Sequence, residues 1–152
     1  MLNINFANNE YIDLISEFEK ENFHAEAYSK DELNQMLIDN HILKDNTNIF
    51  IITHEEEFLG YIIFSITDDF TDIYKIFIRE SDRNKGYATK LIDYVYNLAR
   101  RYNSKKLMIE VRSENSVAIK FYEKNGFTNI SIRKLYYKDP IDDALIYERK
   151  VI

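Results

Sequence analysis

The sequence predicts an α/β fold, a mixed sheet with helices on both faces. Three observations predict it. Ile73, Ile76, Phe77 and Ile78 form the near-continuous apolar run of a strand covered on both sides. Gly86 then opens a run in which Ala88, Leu91, Ile92, Val95, Leu98, Ala99 and Tyr102 fall at three- and four-residue steps, with Lys90, Asp93, Asn97 and Arg100 opposite, the pattern of a long helix packed on that sheet. Along the rest of the chain the periods succeed one another as strand, two helices, three strands, helix, strand, helix, two strands.

Taken in order, Leu2, Ile4 and Phe6 alternate with polar residues as a first strand. Asn8 stands where an N-cap belongs, ahead of a helix with Tyr11, Leu14, Ile15 and Phe18 on its inner face. Ser29-Lys30-Asp31-Glu32 has capping-box spacing before Leu33, Met36 and Leu37, so a second helix starts at Ser29, with Asn22 to Tyr28 between the two. Ile49 to Thr53 and Phe58 to Ile66, on either side of the acidic turn His54 to Glu57, read as a hairpin. Thr67 to Thr71 is a turn leading into the strand Ile73 to Ile78. After the long helix, Leu107 to Val111 makes a fifth strand, and Asn115 to Asn125 a short helix with Gly126 as its stop. Phe127 to Tyr137 and Ala144 to Arg149 are the last two strands, joined through Lys138 to Asp143, which contains the single proline, Pro140.

At 152 residues the chain suits one domain, 1–152, with a real core, and 45% hydrophobic and 30% charged residues place it in the globular range. No apolar run reaches the roughly 20 residues of a membrane span, and Met1 to Asn5 lacks a basic region before an apolar one, so the expected location is the cytoplasm, without membrane attachment. The absence of cysteine excludes disulfides, thiolate metal ligands and a Cys nucleophile. His24, His41 and His54 have no metal spacing, so no metal is expected. A net charge of −6 argues against an extended nucleic-acid surface and can help attract cationic substrates.

Strand, glycine turn and helix in that order make an anion site. The first helical turn leaves N–H groups without intrahelical partners, aimed out of Arg83-Asn84-Lys85-Gly86-Tyr87-Ala88-Thr89, and the helix dipole adds partial positive charge there. The plain alternative is an ordinary strand-to-helix connection. A P-loop is excluded, because neither its first glycine nor the Gly-Lys-Ser/Thr order is present, and so is the three-glycine dinucleotide fingerprint. Glu110 shares a strand face with Met108, opposite Leu107, Ile109 and Val111, so it is either put to use or paired with a lysine or arginine at a wet strand end. Tyr122 shares a helix face with Ala118, Phe121 and Asn125, where packing alone could account for it.

Arg83-x-x-Gly86-x-Ala88 resembles the acetyl-CoA signature of the GNAT superfamily of N-acetyltransferases. Ile109 to Asn115, then Ala118-Ile119, Phe121 to Lys124 and Gly126-Phe127, are similar to the segment that follows that family's cofactor helix. More narrowly, Glu110-Val111-Arg112, Ile132 to Tyr137, Asp142 to Ile146 and, near the front, Glu19 to Phe23 resemble the bacterial ribosomal-protein-alanine N-acetyltransferases, which acetylate the N-terminal alanine of a small-subunit ribosomal protein. The resemblance implies a GNAT-like, mostly antiparallel sheet of about seven strands with about four helices on both faces.

It also implies acetyl-CoA as cosubstrate and direct transfer to an amine, the acceptor being a protein N-terminus. Backbone groups of Ile76, Phe77 and Ile78 would align the pantetheine arm and polarise the thioester, and Asn84, Lys85, Gly86, Tyr87, Ala88 and Thr89 would wrap the pyrophosphate. Arg83 and Lys85 either add charge there or form a solvated basic turn. Glu110 would be the general base and Tyr122 the acid that protonates the departing thiolate, the two on one side of the sheet. Asn115 would touch the CoA arm or simply cap its helix, and Tyr136 and Tyr137 would lie beside the acceptor or only pack. Three departures stand out: Ala27-Tyr28-Ser29 where Pro-Trp-Ser is usual, Glu80 where proline is frequent, and Tyr147 where methionine is common. The first and last would border the substrate groove. Other readings are a small-amine acceptor on the same chemistry and a non-catalytic acyl-CoA-binding module, the latter disfavoured by the presence of both Glu110 and Tyr122.

Overall fold

The computed structural model describes residues 1–38 and 43–152; His41 lies outside them. The elements are β1 (Leu2–Phe6), α1 (Asn9–Phe23), a 3-10 turn (His24–Glu26), α2 (Lys30–Ile38), β2 (Thr47–His54), β3 (Glu57–Ile66), β4 (Thr71–Ile78), a second 3-10 turn (Glu80–Asp82), α3 (Tyr87–Arg101), β5 (Lys106–Arg112), α4 (Ser116–Lys124), β6 (Thr128–Lys138) and β7 (Ile141–Lys150). Local chemistry sets the helix ends. Asn8 Oδ1 accepts from the Glu10 N–H at 3.0 Å. The Ser29 hydroxyl accepts from Glu32 N–H while the Glu32 carboxylate accepts from Ser29 N–H, both at 3.1 Å, so the expected capping box forms and the first helical residue is Lys30. α4 stops with Phe127 N–H on the Tyr122 carbonyl and Gly126 N–H on that of Glu123, the paired bonds of a Schellman end.

One seven-stranded sheet runs in the order β1-β2-β3-β4-β5-β7-β6. Every pairing is antiparallel except β4 with β5, which α3 joins as a crossover. Strand alternation sorts the side chains into two cores. Ile62, Phe64, Ile73, Leu107, Ile109 and Val111 meet Leu91, Ile92 and Val95 of α3 and Tyr122 of α4. Ile49, Ile51, Tyr61, Ile63 and Phe77 meet Ile12 and Ile15 of α1 and Leu33 of α2. The most buried stripe of α1 is Ile12, Ile15, Ser16 and Glu19, one step round from the expected face, because it includes two polar residues that an apolar count passes over.

β4 begins at Thr71, two residues before its apolar run. The Thr71 hydroxyl is buried and donates to Ser104 Oγ at 2.9 Å, so a residue expected in a turn is the start of the strand. Gly60 of β3 lies directly against β4: a Cβ there would stand 2.1 Å from the Phe77 carbonyl oxygen, so only glycine lets the two strands approach this closely.

Candidate active site

The parallel pairing of β4 with β5 lasts three residues, Thr71↔Leu107, Asp72↔Met108 and Ile73↔Ile109. Tyr74 is then passed over in the β3 register, which jumps from Ile73↔Phe64 to Lys75↔Ile63, a bulge that bends β4 away. Beyond it β4 keeps β3 on one side and has no strand on the other. The sheet is split there, and a cleft of about 650 Å³ fills the split, lined by Ile76 of β4, Glu110 and Arg112 of β5, Asn115 and Tyr122 at α4, and Tyr136 and Tyr137 of β6, among others.

Glu110 sits at the open end of the cleft with its side chain 34% exposed, its Oε1 3.3 Å from Arg133 Nη1. It is thus at a wet strand end and paired with an arginine. Tyr122 is 5% exposed, its ring edge-on to Phe127 at 5.6 Å, and burial foremost, then the nearby Tyr137 phenol, pushes its own phenol well above the usual range. The two do not lie on one side of the sheet as expected. Leu107, Ile109 and Val111 point into the α3 core that holds Tyr122, so alternation directs Glu110 to the opposite face. They reach a common cleft only because the sheet is parted between them.

The glycine loop lies past the end of β4 and does not line this cleft. Gly86 is left-handed, φ 85°, with nothing within 4 Å of where a Cβ would be, and as N-cap it offers no side-chain cap to the first N–H groups of α3, those of Tyr87, Ala88 and Thr89. Asn84 is also left-handed, φ 63°. Arg83 is engaged within the fold: its Nε donates to the Ile78 carbonyl at 2.9 Å and its guanidinium lies over the Phe77 ring. Lys85 extends into solvent 3.8 Å from Asp82. Phe77 points into the α1 core, leaving only its backbone for a ligand, whereas Ile76 packs partly against the α3 core. The Asn115 side chain accepts from Ala118 N–H at 3.2 Å as an N-cap while lining the cleft. Tyr28 lines the cleft as expected. Tyr147 does not: in register with Ile109 it is buried in the α3 core, with its hydroxyl 3.4 Å from Glu123.

Sequence reasoning missed a polar chain along one wall. Glu19 is fully buried and accepts from Tyr61 Oη at 2.5 Å, Tyr28 N–H at 3.0 Å and Lys75 Nζ at 3.1 Å. Lys75 also lies over the Phe23 ring at 3.9 Å; burial pulls its pKa down although Glu19 opposes this. Glu26 of the first 3-10 turn pairs with Arg112, which donates to the Pro140 carbonyl at 2.8 Å and stacks on Tyr137 at 4.2 Å. A lysine inside an apolar strand and a glutamate on an apolar helix stripe were the available signals. Among the described residues no group of three or more His, Asp or Glu is disposed to hold a metal, and no helix is long and apolar enough to cross a membrane.

A seven-stranded mixed sheet parted between its two parallel strands, with helices on both faces, is the fold of an N-acetyltransferase. The chain belongs to the Acetyltransferase (GNAT) family, whose sequence profile matches residues 9–127. It is 30% identical over 88 residues to the ribosomal protein bS18-alanine N-acetyltransferase of Haemophilus ducreyi, a match covering 58% of this chain and 61% of that protein. It is 29% identical over 137 residues to the putative protein of the same name from Bacillus subtilis, covering 90% of this chain and 87% of that one. The crystal structure of the ribosomal-protein-S18-alanine N-acetyltransferase from Escherichia coli superimposes with a TM-score of 0.81 at 21% identity over 99% of this chain and 94% of that chain.

Proposed function

We propose that this N-acetyltransferase moves the acetyl group of acetyl-CoA directly onto the α-amine of a protein N-terminus, an N-terminal alanine of a small-subunit ribosomal protein being the first candidate. The observation that carries the reading is that Glu110 and Tyr122, from opposite faces, line one cleft where the sheet splits. The names of the bacterial relatives support the acceptor.

In this reading the uncapped N–H groups of Tyr87 to Thr89, with Asn84, Lys85 and Gly86, hold the pyrophosphate, while Arg83 braces the loop from behind. Backbone groups of Ile76, Phe77 and Ile78 on the side of β4 away from β3, with Asn115 across the cleft, hold the pantetheine arm. An α-ammonium has a reference pKa of about 7.8, so at neutral pH the base removes only a modest excess proton. Glu110 takes that proton and passes it to solvent, the nitrogen bonds to the carbonyl carbon and sheds its second proton to water, and the C–S bond breaks. Tyr122 then gives its proton to the thiolate. Burial makes the phenol a weaker acid, and the same dry surroundings shift the thiol in the same direction.

Mass spectrometry of the purified protein with acetyl-CoA and a panel of acceptors tests this: an N-terminal-alanine peptide, the same peptide with a blocked N-terminus and internal lysines, and spermidine. Acetylation confined to the free alanine supports the reading. Turnover on spermidine alone replaces the acceptor with a small amine.

A further inference from the structure

One lining carboxylate has no part in the chemistry above. Asp72 belongs to the last paired stretch of β4, opposite Met108, immediately before the strands part. Alternation puts it on the same face as Glu110, two residues further along the adjacent parallel strand, and both line the cleft. Asp72 is half-buried, and its carboxyl is held above the ordinary range first by burial and second by the charge of Glu110, with Arg133 acting in the opposite sense.

The cations on this wall are already committed. Arg133 of β6 is ion-paired with Glu110 at 3.3 Å. Arg112 of β5 pairs with Glu26, and Lys75 of β4 with the buried Glu19. Among the described residues no ion pair involves Asp72. Asp72, Glu110 and Arg133 together therefore carry one unmatched negative charge, at the point where the cleft opens on the α1 side of the sheet. Besides those pairs, Tyr28, Tyr74, Tyr136, Tyr137, His24 and Asp139 line this space; none is a lysine or arginine that would repel a cation, and Asp139 adds a further carboxylate. A carboxylate held half-dry beside a like charge is costly unless a cation joins it.

We infer that Asp72 is a specificity-determining residue: with Glu110 it forms a two-carboxylate seat for a positively charged amine, of which Arg133 neutralises only half. Asp72 holds the incoming ammonium while Glu110 takes its proton, so the seat selects acceptors that arrive as cations. The inference rests on the proposed reading of the cleft as an amine-acceptor site and adds which residue draws the acceptor in.

Steady-state kinetics of Asp72→Asn test it, with whichever of two probes the wild type turns over, an N-terminal-alanine peptide or spermidine. The KM for the amine rises roughly tenfold, the loss of one half-exposed charge contact, while the KM for acetyl-CoA stays within about twofold. Asp72→Glu, which keeps the charge, restores most of the amine KM. Asp72→Ser gives the same comparison should the Asn variant fail to fold. An amine KM unchanged in folded Asn or Ser variants overturns the inference and leaves the acetyltransferase reading intact. A wild type that turns over neither probe overturns both.

Discussion

Lys75 Nζ donates to the Glu26 carbonyl at 2.6 Å and to Glu19 Oε1 at 3.1 Å, so a residue of the central strand ties down the connection between α1 and α2. Because Glu26 pairs in turn with Arg112, and Arg112 with the β6–β7 turn, the two segments flanking the cleft mouth are anchored to one ammonium.

Replacing Lys75 with Met therefore leaves the Glu19 carboxylate buried with only Tyr61 and the Tyr28 N–H. The expected loss is about 3 kcal/mol, the scale for breaking a buried pair from one side. Urea denaturation reads it, and a loss under about 1 kcal/mol would mean that the pair is far wetter than its burial indicates.

Glu110→Gln lowers turnover at neutral pH by roughly 10²- to 10⁴-fold, the usual worth of a positioned base. Activity recovers partly as the pH rises past about 7.8, where the amine sheds its own proton. A pH profile parallel to the wild type would remove Glu110 from the base role.

Tyr122→Phe keeps the ring packed against Phe127 and removes only the hydroxyl. Acetyl-CoA affinity by calorimetry stays the same while transfer slows. Full activity would assign Tyr122 to the core alone.

Two glycines should fail differently. Gly86→Ala meets open space but a left-handed φ of 85°, which costs about 1 kcal/mol, so the variant folds and loses acetyl-CoA affinity. Gly60→Ala meets the Phe77 carbonyl at 2.1 Å and forces β3 from β4, so it lowers the melting temperature far more. Circular dichroism melts and a binding titration separate the two.

Five phenols, Tyr28, Tyr61, Tyr122, Tyr137 and Tyr147, are pushed above their ordinary value, chiefly by burial, Tyr28 and Tyr137 up to about 12. A group raised in the folded state stabilises fully below its unfolded pKa, about 10 for tyrosine, and loses that contribution as the pH climbs through the folded value. Lys75, lowered by burial, works in the opposite sense, so its share of stability grows as the pH rises through its folded value. With five phenols against one lysine, stability falls above about pH 10. Phenolate absorbance from these tyrosines should then appear together with unfolding; phenolate forming well before the helices melt would contradict their burial.

Local signals were legible wherever a few adjacent residues settle the outcome: the Ser29–Glu32 box, the Gly86 turn and the alternation that directs Glu110 away from Ile109. The start of β4 at Thr71 was not, because this polar residue is buried through a bond to Ser104, 33 positions away. Nor was the split of the sheet, which depends on the Tyr74 bulge and on a pairing between strands that α3 separates. For that reason the expectation that Glu110 and Tyr122 share a side failed, although the cleft joins them. Tyr147 was misplaced because resemblance does not fix which face of β7 a residue takes, whereas its register with Ile109 does.

A sheet parted at one point is a wall with a window in it. On the roles proposed for its two sides, the nucleotide-bearing reactant enters from behind the wall and the amine from in front, and neither blocks the other's doorway. Both can be resident at once, so initial-rate plots at varied concentrations of the two reactants should intersect instead of running parallel.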